Sequence, residues 1–156
     1  MPLPVYEKVF SAAEKGFISA THENLQCLKS LSAHFSKNCV RTLDRGFDAN
    51  DYYRYFLKND EKFVIRSKKN RNVIYNGKTQ NIMDVAGKYK GNYRMNFKDK
   101  HGKKIECKIS YIPVRLCEFP NKTLVLVAVY GFGAQPMLLL TNLDLLTWLT
   151  KVTNSS

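Results

Sequence analysis

Leu43-Asp44-Arg45-Gly46-Phe47-Asp48, followed about fifteen residues later by Phe63-Val64-Ile65-Arg66-Ser67-Lys68, decides how this chain reads. An apolar approach over Cys39-Val40-Arg41-Thr42-Leu43 delivers Asp44 to a sharp turn. A helical segment follows, and then a second apolar strand runs into a cluster of Arg and Lys. This order sets one carboxylate at the carboxyl end of a strand, where open α/β sheets place their sites, with cationic side chains close by. In phosphodiester chemistry such an Asp binds Mg²⁺ or Mn²⁺, hard cations that take oxygen ligands. Two such ions about 3.5–4 Å apart clamp the attacking and leaving oxygens. The plainer alternative is that Asp44 only shapes a turn with Arg45-Gly46.

Working outward, the N-terminal side holds Leu25, Leu28, Leu31 and Phe35 at spacings of three and four. That pattern predicts an amphipathic helix over residues 22–35, started by Thr21 or His22. Residues 38–43 read as a short strand. Asp48 or Asn50 is placed to cap a helix over residues 49–58. Residues 62–68 form the next strand. From residue 70 to 130 the chain reads mostly as β. Asn76-Gly77 marks a hairpin, and residues 93–98 and 104–111 alternate with period two. Pro113 suggests an edge or a bulge. Residues 123–130 are a continuous apolar strand, and 137–141 another. A helix capped by Asn142 is expected over residues 142–152.

The fold class expected is therefore α/β: a layered core interrupted by a β-rich insertion. The division is residues 1–69 for the first part of the core, 70–132 for the insertion, and 133–156 for the returning strand and helix.

At 156 residues and 44% hydrophobic content, the chain suits one domain with a real core. Its formal net charge is +12, and residues 58–104 hold fourteen Lys and Arg against four Asp and Glu. A basic field over aromatic strands suggests a polyanion partner, or else a solvated basic surface. Arg66, Lys68, Lys69 and Arg71 follow a strand directly and could position a phosphate backbone. Tyr75, Tyr89, Tyr93, Phe97 and Tyr111 could stack on bases, or pack across strands. The four cysteines show no CxxC spacing, and the three histidines are scattered. Neither a zinc site nor a disulfide framework is indicated. Residues 1–4 lack the pattern of a signal peptide. The longest apolar run is too short to span a bilayer. A reducing, cytoplasmic setting with no membrane partner is the expectation.

In order and spacing these pieces resemble the DDE transposases of the IS4 type, which include the Tn5 transposase. The match runs from Asn38 to Leu143 through the two quoted segments, a β-rich insertion, and Leu138-Leu139-Leu140-Thr141-Asn142. The resemblance implies an RNase H-like core, here partial, and metal-dependent DNA strand cleavage and transfer at transposon ends. It makes Asp44 a catalytic and metal-binding aspartate for Mg²⁺ or Mn²⁺. It places Arg66 and Lys68, with Lys69 and Arg71 alongside, toward transposon-end DNA.

The chain also departs from the family. No aspartate precedes Asp44, and Glu118 lies in the insertion. No Tyr/Arg/Trp/Glu helix follows Asn142. The expectation is an internal fragment cut at both ends, inactive alone, with an exposed sheet edge that favours self-association or a full-length transposase as partner. Two competing readings are a non-catalytic nucleic-acid-binding module using the basic β-block and a transposase-interacting remnant.

Overall fold

In the computed structural model, which describes residues 8, 9 and 11–147, the chain is a mixed α/β protein built on one eight-stranded sheet. The strands are β1 (Val40–Leu43), β2 (Lys62–Arg66), β3 (Asn72–Tyr75), β4 (Lys78–Asn81), β5 (Tyr93–Lys98), β6 (Lys104–Leu116), β7 (Phe119–Tyr130) and β8 (Met137–Thr141). Their spatial order is β1-β2-β8-β7-β6-β3-β4, and β5 pairs with β6 beside that path. β1 and β2 run parallel, and the other pairs are antiparallel.

The segment expected as an insertion supplies β3 to β7, from beside β8 out to the β4 edge. β7 is hydrogen-bonded to β8, which in turn lies beside β2. Residues 70–132 therefore continue the same sheet as the β1–β2 pair.

Three helices cover one face: α1 (Ala20–Ser32), α2 (Asn50–Lys58) and α3 (Ile82–Gly87). α1 starts earlier than its apolar spacing suggested, because Ser19 is the cap and its Oγ accepts from the His22 N–H at 3.1 Å. α2 has Ala49 as its N-cap, with no side-chain cap. It buries Tyr52, Tyr53 and Phe56 against Phe63 and Ile65 of β2, where the Phe56 and Phe63 rings lie 5.4 Å apart. α3 is a helix inside the stretch of residues 70–130 that reads mostly as β. Asn81 caps it by accepting from the Met83 N–H at 2.8 Å, and Ile82, Val85 and Ala86 are buried. Six residues are too few to show a helical period in the sequence.

The hairpin at Asn76-Gly77 joins β3 to β4 with φ of 49° and 73°, the left-handed pair that a two-residue type I′ turn needs. Pro113 lies on β6 between the stretch flanked by β5 and the stretch flanked by β3, so its missing N–H falls in a gap of the ladder. A register irregularity follows at Arg115/Leu116.

The opposite face gathers Cys107, Ile109, Val125, Val127 and Val129, with Leu145 and Leu146 packed on them. Asn142 does not cap the last helix. Its side chain accepts from Phe63 N–H at 3.0 Å and donates to Glu61 O at 2.9 Å, which clamps β8 to β2. Asp144 accepts from the Thr147 N–H instead, at 3.2 Å, and residues 145–147 are helical. The rest of the helix expected over 142–152, including Trp148, lies outside the described residues.

Candidate nucleic-acid interface

Register brings the sequence-predicted site to one sheet edge. Leu43 pairs with Ile65 in the parallel β1–β2 ladder, so Asp44 and Arg66 both follow the last ladder pair at the same end. The apolar residues Phe63 and Ile65 face α2, which turns Arg66 to the other face, where it is exposed. Strand alternation puts Asp44 on that same face of β1.

Asp44 is exposed and its Oδ1 accepts from the Gly46 N–H at 2.8 Å, closing a 3₁₀ turn over Arg45–Phe47. A Cβ at Gly46 would sit 3.0 Å from that same oxygen, so a larger residue there would crowd the turn's hydrogen bond. Asp44 thus does the work of a turn aspartate.

Asp48 departs from its expected role as helix cap. Its side chain is fully buried and accepts from four donors. These are Tyr53 Oη at 2.7 Å, Ser67 Oγ at 3.2 Å, the Lys68 N–H at 2.6 Å and Arg71 Nε at 2.6 Å. A buried carboxylate is tolerable only when paired and hydrogen-bonded, and this one is both. Burial, and then the charge of Asp48, push the Tyr53 phenol above its ordinary range. Arg71 is folded inward rather than presented to solvent. Its Nη2 donates to Asp48 O at 3.2 Å, its Nη1 to Asn50 Oδ1 at 3.1 Å, and its guanidinium lies 5.0 Å from the Tyr53 ring centroid.

This buried hub fixes the loop between β2 and β3. Ser67 N–H donates to Leu138 O at 2.8 Å, Asn81 Nδ2 to Lys69 O at 3.1 Å, and Ile82 N–H to Arg71 O at 2.9 Å. The loop backbone is held from three sides while Lys68 and Lys69 stand exposed. Lys69 Nζ donates to Gln135 Oε1 in the β7–β8 connection. Among the described residues, neither the Arg66 guanidinium nor the Lys68 ammonium has an assigned side-chain partner. Of the four predicted phosphate contacts, Arg66, Lys68 and Lys69 remain at the surface, and Arg71 serves the hub. Ser67 and Tyr53 carried no signal that would have placed them with Asp48, because their link to it is purely spatial.

The other carboxylates lie apart from Asp44. Glu118 pairs with Arg54 at 2.7 Å, Asp51 with the same Arg54 at 2.8 Å, and Glu61 is buried 3.8 Å from Arg41. Among the described residues no three His, Cys, Asp or Glu come together as a metal site. Asp44 alone does not supply the donor set that two divalent cations require.

No protein-family model matches this chain, and no curated protein sequence matches it. Among the described residues, no helix is long and apolar enough to cross a membrane.

Proposed function

We propose that this chain is a DNA-binding domain of the IS4-type DDE transposase lineage. In this reading it carries a partial RNase H-like core and grips phosphate backbone at the β1–β2 edge. The observation that supports this best is the parallel β1–β2 pair, which brings Asp44 and Arg66 to one end beside a loop held by the Asp48 hub. Phosphate contacts of this kind position a duplex without reading its sequence.

The fixed loop lowers the ordering cost of binding, because its backbone is already held. Strand cleavage with Mg²⁺ or Mn²⁺ belongs to the family. Among the described residues the carboxylates do not gather into a two-metal site, and in this reading the chain binds DNA without cutting it. A full-length transposase is the partner that would bring the missing ligands.

The test is DNA affinity measured by fluorescence anisotropy across a salt series. Each neutralised phosphate contributes about −0.9 to the slope of log K against log salt. Replacing Arg66, Lys68 and Lys69 together by Ala flattens the slope by roughly 2–3 if each neutralises one phosphate. Asp44→Ala leaves binding in place. A salt-independent affinity would remove the reading, and so would metal-dependent cutting that disappears in Asp44→Ala.

A further inference from the structure

The sheet has three outer strands: β1, β4 and β5. β4 is four residues of polar sequence, Lys78-Thr79-Gln80-Asn81, and β1 is also only four residues long. β5 is different. It has six residues, every one of them exposed, and among the described residues it is hydrogen-bonded on one side only, to β6.

Its alternation sends Tyr93, Met95 and Phe97 to one face, where they are 36%, 45% and 39% exposed. Tyr93 meets the Tyr111 ring at 5.4 Å and Phe97 meets Phe132 at 6.1 Å, so the stripe extends the second apolar cluster out to the sheet's edge. Arg94, Asn96 and Lys98 lie on the other face, across from Lys108, Glu106 and Lys104 of β6. An open edge with an apolar stripe is a template for another strand.

We propose that the occupant is a second copy of this chain, with β5 pairing antiparallel to β5 about a two-fold axis at Met95. Directly opposed residues in an antiparallel pair share a face, so the choice of register can be decided by chemistry. Pairing centred on Met95 sets Tyr93 against Phe97 of the other copy, Met95 against Met95, and Arg94 against Asn96. The apolar stripe then runs unbroken across the axis. Centring on Asn96 would set Arg94 against Lys98, a like-charge contact that destabilises a sheet. A half-step shift would turn one copy's apolar face onto the other's charged face. Centring on Tyr93 or Phe97 would leave most of the six-residue strand unpaired, so of the registers that pair nearly the whole of β5 only the Met95 one satisfies both constraints. Arg94 also has Glu106 beside it on the same face, with Nη1 to Oε1 at 3.9 Å.

One six-residue strand buries well under the roughly 800 Å² per partner of a stable complex, so the dimer is weak, with Kd above about 1 μM. Each copy carries a net charge of +12, so added salt screens their repulsion and tightens the dimer. DNA binding weakens with salt, which keeps the two readings separable.

The experiment is sedimentation equilibrium on the whole nucleic-acid-free chain, from about 1 μM to about 1 mM. A monomer–dimer equilibrium is expected. Met95→Lys sets two ammonium groups opposite each other on the axis and weakens the dimer at least about tenfold. Met95 is exposed, so the variant keeps its fold, which its unfolding curve verifies. Arg94→Glu, facing Asn96, changes the dimer by less than about threefold. A chain still monomeric at the top concentration leaves the β5 edge to another protein and overturns self-pairing. So does a dimer indifferent to Met95→Lys, and a dimer strongly tightened by Arg94→Glu indicates the rejected register.

Discussion

Two aspartates four residues apart invite opposite expectations, and Asp48→Ala is the variant that separates them. Its carboxylate is fully buried and receives Tyr53 Oη, Ser67 Oγ, the Lys68 N–H and Arg71 Nε. Removing it leaves the Lys68 N–H and the fully buried Tyr53 hydroxyl without that acceptor, and the Arg71 guanidinium, 15% exposed, without its counter-charge. Breaking a buried ion pair on one side costs about 3–5 kcal/mol. Each stranded buried donor by itself accounts for about 1–3 kcal/mol. These overlap, so the expected loss is about 4 kcal/mol, or a fall in Tm of roughly 8–16 °C for a chain of this size. Asp48→Asn keeps the shape but turns an amide NH₂ toward donors, and should lose about 2–4 kcal/mol.

Asp44→Ala removes one hydrogen bond at an exposed turn, and about 1 kcal/mol or less is expected. Urea unfolding followed by circular dichroism measures all three, with the midpoint moving at constant slope. Arg71→Ala and the double variant complete a cycle, in which Asp48 and Arg71 should couple by at least about 1 kcal/mol. If Asp48→Ala cost less than about 1 kcal/mol, or the two substitutions simply added, the hub would not be the element that holds the loop.

Burial raises the phenol pKa of Tyr53, Tyr111 and Tyr130, and a hydrogen bond with Tyr75 is the larger cause at Tyr89. The folded chain then holds phenolic protons that the unfolded chain has released. This stability is complete below about pH 10 and is lost above it, most steeply through the buried Tyr53, at about 1.4 kcal/mol per pH unit while that phenol is kept neutral. Urea midpoints between pH 8 and pH 11 check this, and Tyr53→Phe should make the fall shallower. Gly91 has φ of +81°, and a Cβ there would meet Lys108 Cβ at 2.3 Å and its backbone carbon at 2.9 Å. Gly91→Ala should therefore cost about 2–4 kcal/mol, whereas Gly77→Ala, with nothing within 4 Å of its Cβ, carries only left-handed strain of about 1 kcal/mol. Equal losses from the two in the same unfolding assay would show that the β5–β6 approach tolerates a side chain.

Much of the sheet was legible because its signals are local. Period-two alternation marked β5 and β6, the apolar runs marked β7 and β8, and Asn76-Gly77 marked a turn whose backbone few other pairs can adopt. Helix ends were less legible. Ser19 rather than Thr21 caps α1, and Ala49 rather than Asp48 precedes α2. Several polar residues near those starts could serve, and tertiary packing selects among them. α3 was hidden by its length, although Asn81 as cap and Asp84 in its first turn were its visible traces.

The candidate site divides the same way. Asp44 at a strand end and a basic run after the next strand follow from residue order alone, and so does the charge that favours a polyanion. What those residues do depends on partners distant in the chain. Asp48 reaches Arg71 across 23 positions, and Asn142 reaches Glu61 across 81. Hydrogen bonds over such separations leave no periodicity to read. Sequence determined the strands, the tight hairpin and the basic character of this protein, because each depends on side chains adjacent in the chain. Only the tertiary structure decided that residues 70–132 extend the common sheet, that Asp48 and Arg71 serve the scaffold, and that β5 is left with an open edge. Those outcomes rest on burial and on which strand lies beside which, and neither exists until the chain has folded.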